Sequence, residues 1–188
     1  MKDLRRKLKE LRNENLVIEG TETNRAILFL NDILKRTSDL GERSGLYELL
    51  TAEYLRAGSP EKVLDVRRRH AEENPDDPLP WMSLATELSN HVELADQAIL
   101  TSSKALEKAV KCNRFVRYVL GARARLAIYT KNPSLFNETI KSLISISTEK
   151  RETDIWFERD FIDDCQAGFA CQSLVDVYLA TCPRKEAM

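Results

Sequence analysis

Ser44 to Pro75 reads SGLYELLTAEYLRAGSPEKVLDVRRRHAEENP, and it writes out two helices and the turn between them. Leu46, Tyr47, Leu49, Leu50, Tyr54 and Leu55 recur at the spacing of one apolar helix face. Ser44 offers a cap at the start, and Gly58 supplies the residue that helices commonly end on. Ser59-Pro60-Glu61 then combines an N-cap, a proline at the first helical position and an acid in the first turn. The second helix must stop by Asn74-Pro75, because the residue before a proline is pushed out of the helical region.

The same punctuation extends in both directions. Upstream, Leu4, Leu8 and Leu11 among basic residues predict an amphipathic helix over about 2–14. Thr21 or Thr23 then caps a helix carrying Ala26, Ile27, Leu30, Ile33 and Leu34, which ends before Ser38–Gly41. Only Leu16-Val17-Ile18 has strand character. Downstream, Asp76–Pro80 is a turn, and Pro80 is placed to open the helix of Trp81, Leu84, Ala85 and Leu88. Asn90-His91 breaks it, and a longer helix follows through Ala95, Ala98, Ser102, Ala105 and Ala109. Next comes Arg114–Lys131, apolar on most faces. Asn132-Pro133-Ser134 repeats the cap-plus-proline device ahead of Leu135, Phe136, Ile140 and Leu143. Residues 150–153 form a polar linker, and 154–182 give one or two closing helices ended by Pro183.

Composition agrees with an all-α chain. The 188 residues hold six glycines and six prolines, about half the usual combined frequency, so a many-turned sandwich or barrel is excluded. A chain of this length buries about 70% of its unfolded surface and needs no metal or disulfide to hold a core. The 29 basic and 30 acidic residues nearly cancel, which leaves no global field for nucleic acid or anionic lipid. The first ten residues are charged from the second onward and lead into no apolar signal core. The longest uncharged run, Cys165–Val175, has 11 residues, too few to cross a bilayer. The four cysteines form no CxxC pair, so reduced thiols in a cytoplasmic protein are expected.

A shift of 34 residues lays Tyr47 on Trp81, Leu50 on Leu84, Thr51 on Ala85 and Tyr54 on Leu88. With Gly58, Val63, His70 and Pro75 in their places, the pattern over 44–90 resembles a tetratricopeptide repeat and is degenerate elsewhere. The sequence departs from that family at Arg67, where a bulky aromatic is preferred, and at His70, where alanine is. The resemblance implies stacked antiparallel helical hairpins in a right-handed superhelix: N-terminal helices at 1–40, repeat-like hairpins at 44–148 and capping helices at 154–182, all one domain. It also implies a concave groove for a partner. Members that clamp a C-terminal carboxylate use Lys and Asn at places held here by Glu48 and Ala52, so that clamp does not carry over.

Catalytic motifs are missing. His70 and His91 are the only imidazoles, and no nucleophile elbow, zinc motif or glycine-rich phosphate loop surrounds them. Asp160, Asp163 and Asp164 share one helix face, yet no second aspartate-rich motif accompanies them, so a solvated acidic face is expected rather than a metal site. Arg67-Arg68-Arg69 fans around its helix as ordinary surface. The stronger candidate is a stripe drawn on a single helix over 111–131: Lys111, Arg114, Arg117 and Arg125 fall in one arc, with Tyr118 and Tyr129 on that side and Arg123 opposite. Arginine forks bind carboxylates bidentately.

These readings give a non-enzymatic adaptor, without metal or cofactor, that binds a peptide or helix of a partner protein, one rich in acid. The alternative is a regulatory helical protein that contacts nucleic acid through its arginine-rich faces. The near-zero net charge weighs against it.

Overall fold

Eight helices and one short hairpin make up the computed structural model, which describes residues 2–12, 15–18 and 21–149. In chain order these are α1 (Lys2–Leu11), β1 (Asn15–Ile18), β2 (Thr21–Asn24), α2 (Arg25–Arg36), α3 (Leu40–Arg56), α4 (Pro60–Glu73), α5 (Pro78–Ser89), a 3-10 turn (Val92–Leu94), α6 (Ala95–Cys112), α7 (Val116–Tyr129) and α8 (Pro133–Glu149). The expected linker and capping helices at 154–182 lie outside the described residues, as do Cys165, Cys171 and Cys182. The chain divides into two compact units between Asn74 and Pro75.

Local chemistry sets the helix starts. Thr21 and Thr23, expected as caps, belong instead to β2, which pairs antiparallel with β1 in the register Leu16↔Thr23 and Val17↔Glu22. Asn24 is the cap of α2, accepting the Ala26 N–H on its side chain. α3 begins at Leu40 rather than at Ser44, because the Asp39 carboxylate accepts the Glu42 N–H and neither Gly41 nor Gly45 stops the helix. α5 begins at Pro78, two residues earlier than Pro80, since Asp77 accepts from the Leu79 N–H. Asn132 performs the same service for Leu135 at the start of α8.

Three helices close by one motif. Past α3, the Gly58 N–H reaches Leu55 O and the Ser59 N–H reaches Tyr54 O, with Gly58 at φ 70. Past α7, Lys131 and Asn132 bond to Ile128 O and Ala127 O with Lys131 at φ 51. Past α6, Asn113 at φ 50 and Arg114 bond to Val110 O and Ala109 O. Phe115 is also left-handed, at φ 60. The chain therefore breaks between Cys112 and Val116, and the single helix expected over 111–131 is two.

In the first unit Leu8 and Leu11 of α1 pack with Ala26, Leu30 and Leu34 of α2 and with Leu46, Tyr47 and Leu50 of α3. The apolar face of α1 is thus spent in the core. Glu53 is 3% exposed and is met by two guanidinium groups: Arg12 Nη2 lies 2.7 Å and Arg56 Nη1 2.5 Å from Oε1. In the second unit α5 packs on α6 and α7, α6 on α7, and α7 on α8. α6 offers Ala98, Ser102, Ala105 and Ala109, all fully buried, so small side chains let its neighbours approach closely. Arg123 is buried there, its Nη2 3.2 Å from Ser103 Oγ and its Nη1 3.4 Å from Glu138 Oε1. Among the described residues no helix is long and apolar enough to cross a membrane.

Candidate functional site

α7 places Tyr118, Ala122, Arg125 and Tyr129 at i, i+4, i+7 and i+11, which puts them in line along one side of the helix. Across from them, α5 presents Thr86 and Ser89. Between the two helices lies a cleft of about 260 Å³ lined by these six side chains and Leu126. Tyr118 and Tyr129 are 58% and 60% exposed and stand at its two ends. Arg125 is half-buried between them, with its Nε enclosed by protein. The hydroxyls of Thr86 and Ser89 donate back to Met82 O and Thr86 O, so they face a ligand as acceptors. The cleft therefore sets a guanidinium between two phenols, an arrangement suited to a carboxylate beside an apolar or aromatic group.

Of the six side chains placed on that stripe in the sequence, Tyr118, Arg125 and Tyr129 line this cleft. Arg117 is half-buried on the same helix and is not among the lining residues, although its Nε and Nη2 are also enclosed. Arg114 and Lys111 do not share the helix at all. Arg114 lies in the α6–α7 corner with its guanidinium 5.0 Å over the Phe115 ring, and Lys111 lies in the last turn of α6. A wheel drawn over 111–131 assumes one unbroken helix, and the left-handed residues Asn113 and Phe115 undo that assumption. Thr86 and Ser89 went unnoticed because they reach the cleft from another helix, and no periodicity within α7 points to them.

A second polar cluster lies in the first unit, between α3 and α4. His70 stacks on Tyr47 with ring centroids 4.8 Å apart. Its Nε2 is 3.0 Å from Ser44 Oγ, and its Nδ1 is 4.0 Å from Glu48 Oε1. Serine, imidazole and carboxylate in this order superficially match a hydrolase triad. Ser44, however, sits inside α3, where the surrounding amides are consumed by the helix ladder and cannot hold an oxyanion. His70 is 4% exposed and Glu48 also pairs with Arg67, so the cluster packs two helices together. Arg43 closes it by donating to Glu73 and to the carbonyls of Leu34 and Thr37 at the end of α2. Burial pushes the Tyr47 phenol up to about 12, and the Glu73 carboxylate beside it acts in the same direction. Burial would raise Glu73 as well, but Tyr47 and the Arg43 and Arg69 guanidinium groups hold it below the usual carboxylate range.

A larger cleft of about 520 Å³ in the first unit runs from Leu4 past Ile33 to Gly41, Gly45 and Leu46. Its charged lining is acidic, from Asp39 and Glu42. Among the described residues no group of three His, Cys, Asp or Glu side chains is placed to hold a metal ion. No family model, curated protein or solved structure matches the chain.

Proposed function

We propose that this protein is a protein–protein interaction module, an adaptor without catalytic activity, which takes an acidic peptide segment of a partner into the cleft between α5 and α7. One observation carries the reading: a half-buried arginine stands between two exposed tyrosines, on a stretch of chain with a single sign of charge. Between Glu107 and Glu138 there are seven basic side chains and not one acid. Both imidazoles stand outside the cleft lining. Stacking in the tetratricopeptide manner belongs to the same proposal. It draws support from the contact of α5 with α7, beyond that of each helix with its chain neighbour.

The test is binding of a short fluorescent peptide rich in Asp, Glu and aromatic residues, compared with its Asn/Gln counterpart. The acidic peptide should bind and its neutral counterpart should bind at least about tenfold more weakly, as expected when charged pairs supply about 1.4 kcal/mol or more. Equal binding of the two, or binding of neither, overturns the proposal.

A further inference from the structure

The basic stretch has a complement within the same chain. Residues 152–164, ETDIWFERDFIDD, carry six acids against one arginine, with Trp156, Phe157 and Phe161 among them. These are the two chemistries that the α5–α7 cleft is furnished to receive, carboxylates for Arg125 and rings for Tyr118 and Tyr129. We infer that residues 152–164 dock along the α7 face of their own chain and occupy the cleft until a partner displaces them. This inference rests on the acidic-peptide reading of the cleft.

Connectivity favours the arrangement. α7 and α8 are joined by Thr130–Asn132 and pack against one another, and Arg123 meets Glu138 across them. Positions that far from the turn on either side pair in an antiparallel hairpin, so α8 runs back beside α7. It ends at Glu149, near the start of α7. From Tyr118 to Tyr129 the strip is about 16 Å long at 1.5 Å per helical residue. The 13 residues of 152–164 span about 20 Å as a helix and over 40 Å extended, enough to cover it in either form. Only Lys150 and Arg151 separate the segment from α8, and so short a tether gives a local concentration of about a millimolar. A site that binds a free acidic peptide at about 100 µM would then be about nine-tenths filled by its own chain.

Two arms test this on the full-length protein. In the first, zero-length carbodiimide cross-linking is followed by mass-spectrometric mapping of the monomer. Lys111 or Lys131 should be joined to carboxylates within 152–164, and these links should disappear in Arg117→Glu/Arg125→Glu while the helical circular-dichroism signal is retained. In the second, a labelled synthetic peptide of residues 152–164 is titrated into the parent and into Glu158→Gln/Asp160→Asn/Asp163→Asn/Asp164→Asn. The neutralised chain should bind the probe about tenfold more tightly, because its own segment no longer competes. Equal affinity for the two proteins overturns self-docking and leaves the cleft a peptide site. Binding to neither overturns both readings. If the neutralised chain fails to fold, the first arm decides, and an absence of links between 152–164 and the basic stretch overturns the inference.

Discussion

Tyr47 brings apolar packing and electrostatics together in one side chain. It is fully buried, stacked on His70 and backed by Glu73, and its phenol is raised from the ordinary value near 10 to about 12. A group whose pKa is raised on folding holds its proton more tightly in the folded state. Its contribution is complete below pH about 10 and is lost as pH climbs through about 12. Urea midpoints should therefore fall between those values, and Tyr47→Phe should fall less over the same interval. Glu73 works in the opposite sense: its lowered pKa stabilises the fold above the usual carboxylate range and is lost on acidification. Leu50 and Leu84 are 2% and 5% exposed, each within its own unit. Truncation of either to alanine should cost about 2–5 kcal/mol by denaturant titration, the range for buried leucines. A loss below about 1 kcal/mol at both sites would place them on the surface.

At the scale of elements, the helix endings decide which parts of the fold could be read in advance. Gly58 announces the end of α3, because glycine alone takes a left-handed φ without strain, and the structure gives it φ 70 with nothing within 4 Å of a would-be Cβ. Gly58→Ala should therefore cost about 1–2 kcal/mol from backbone strain alone. Lys131 holds the corresponding place after α7 at φ 51, so Lys131→Gly should gain about 0.5 kcal/mol, the relief of strain being partly offset by a freer unfolded chain. Equal and same-signed effects at the two sites would contradict this account. Asn113 ends α6 in the same way, but neither glycine nor proline stands between Cys112 and Val116, so no punctuation in the sequence marks the break there. That is why Tyr118, Arg125 and Tyr129, which lie within one helix, were legible as a line, while Lys111 and Arg114 were wrongly added to it. The caps show the same limit. Thr21 and Thr23 have the chemistry of a cap, yet the pairing of β1 with β2 claims their backbone and hands the role to Asn24.

For the whole molecule, the net charge of −1 conceals a segregation along the sequence. The run from Lys108 to Asn137 is purely basic and the run from Glu152 to Asp164 nearly purely acidic, so the second unit carries strong local fields of both signs. Such fields reach about 10 Å at 0.1 M salt and about 3 Å at 1 M. Binding of the Asp- and Glu-rich peptide should accordingly weaken several-fold to tenfold between about 0.05 and 0.5 M salt, the change residing mainly in the association rate. Arg117→Glu/Arg125→Glu should abolish the binding while leaving helicity intact and the melting temperature within about 2 °C, since partly exposed charges add only about 0–1 kcal/mol to stability. If affinity holds constant with salt, the tyrosines rather than the arginines are the recognition element. If binding is lost in step with the melting temperature, the arginines belong to the fold, as Arg123 does between Ser103 and Glu138.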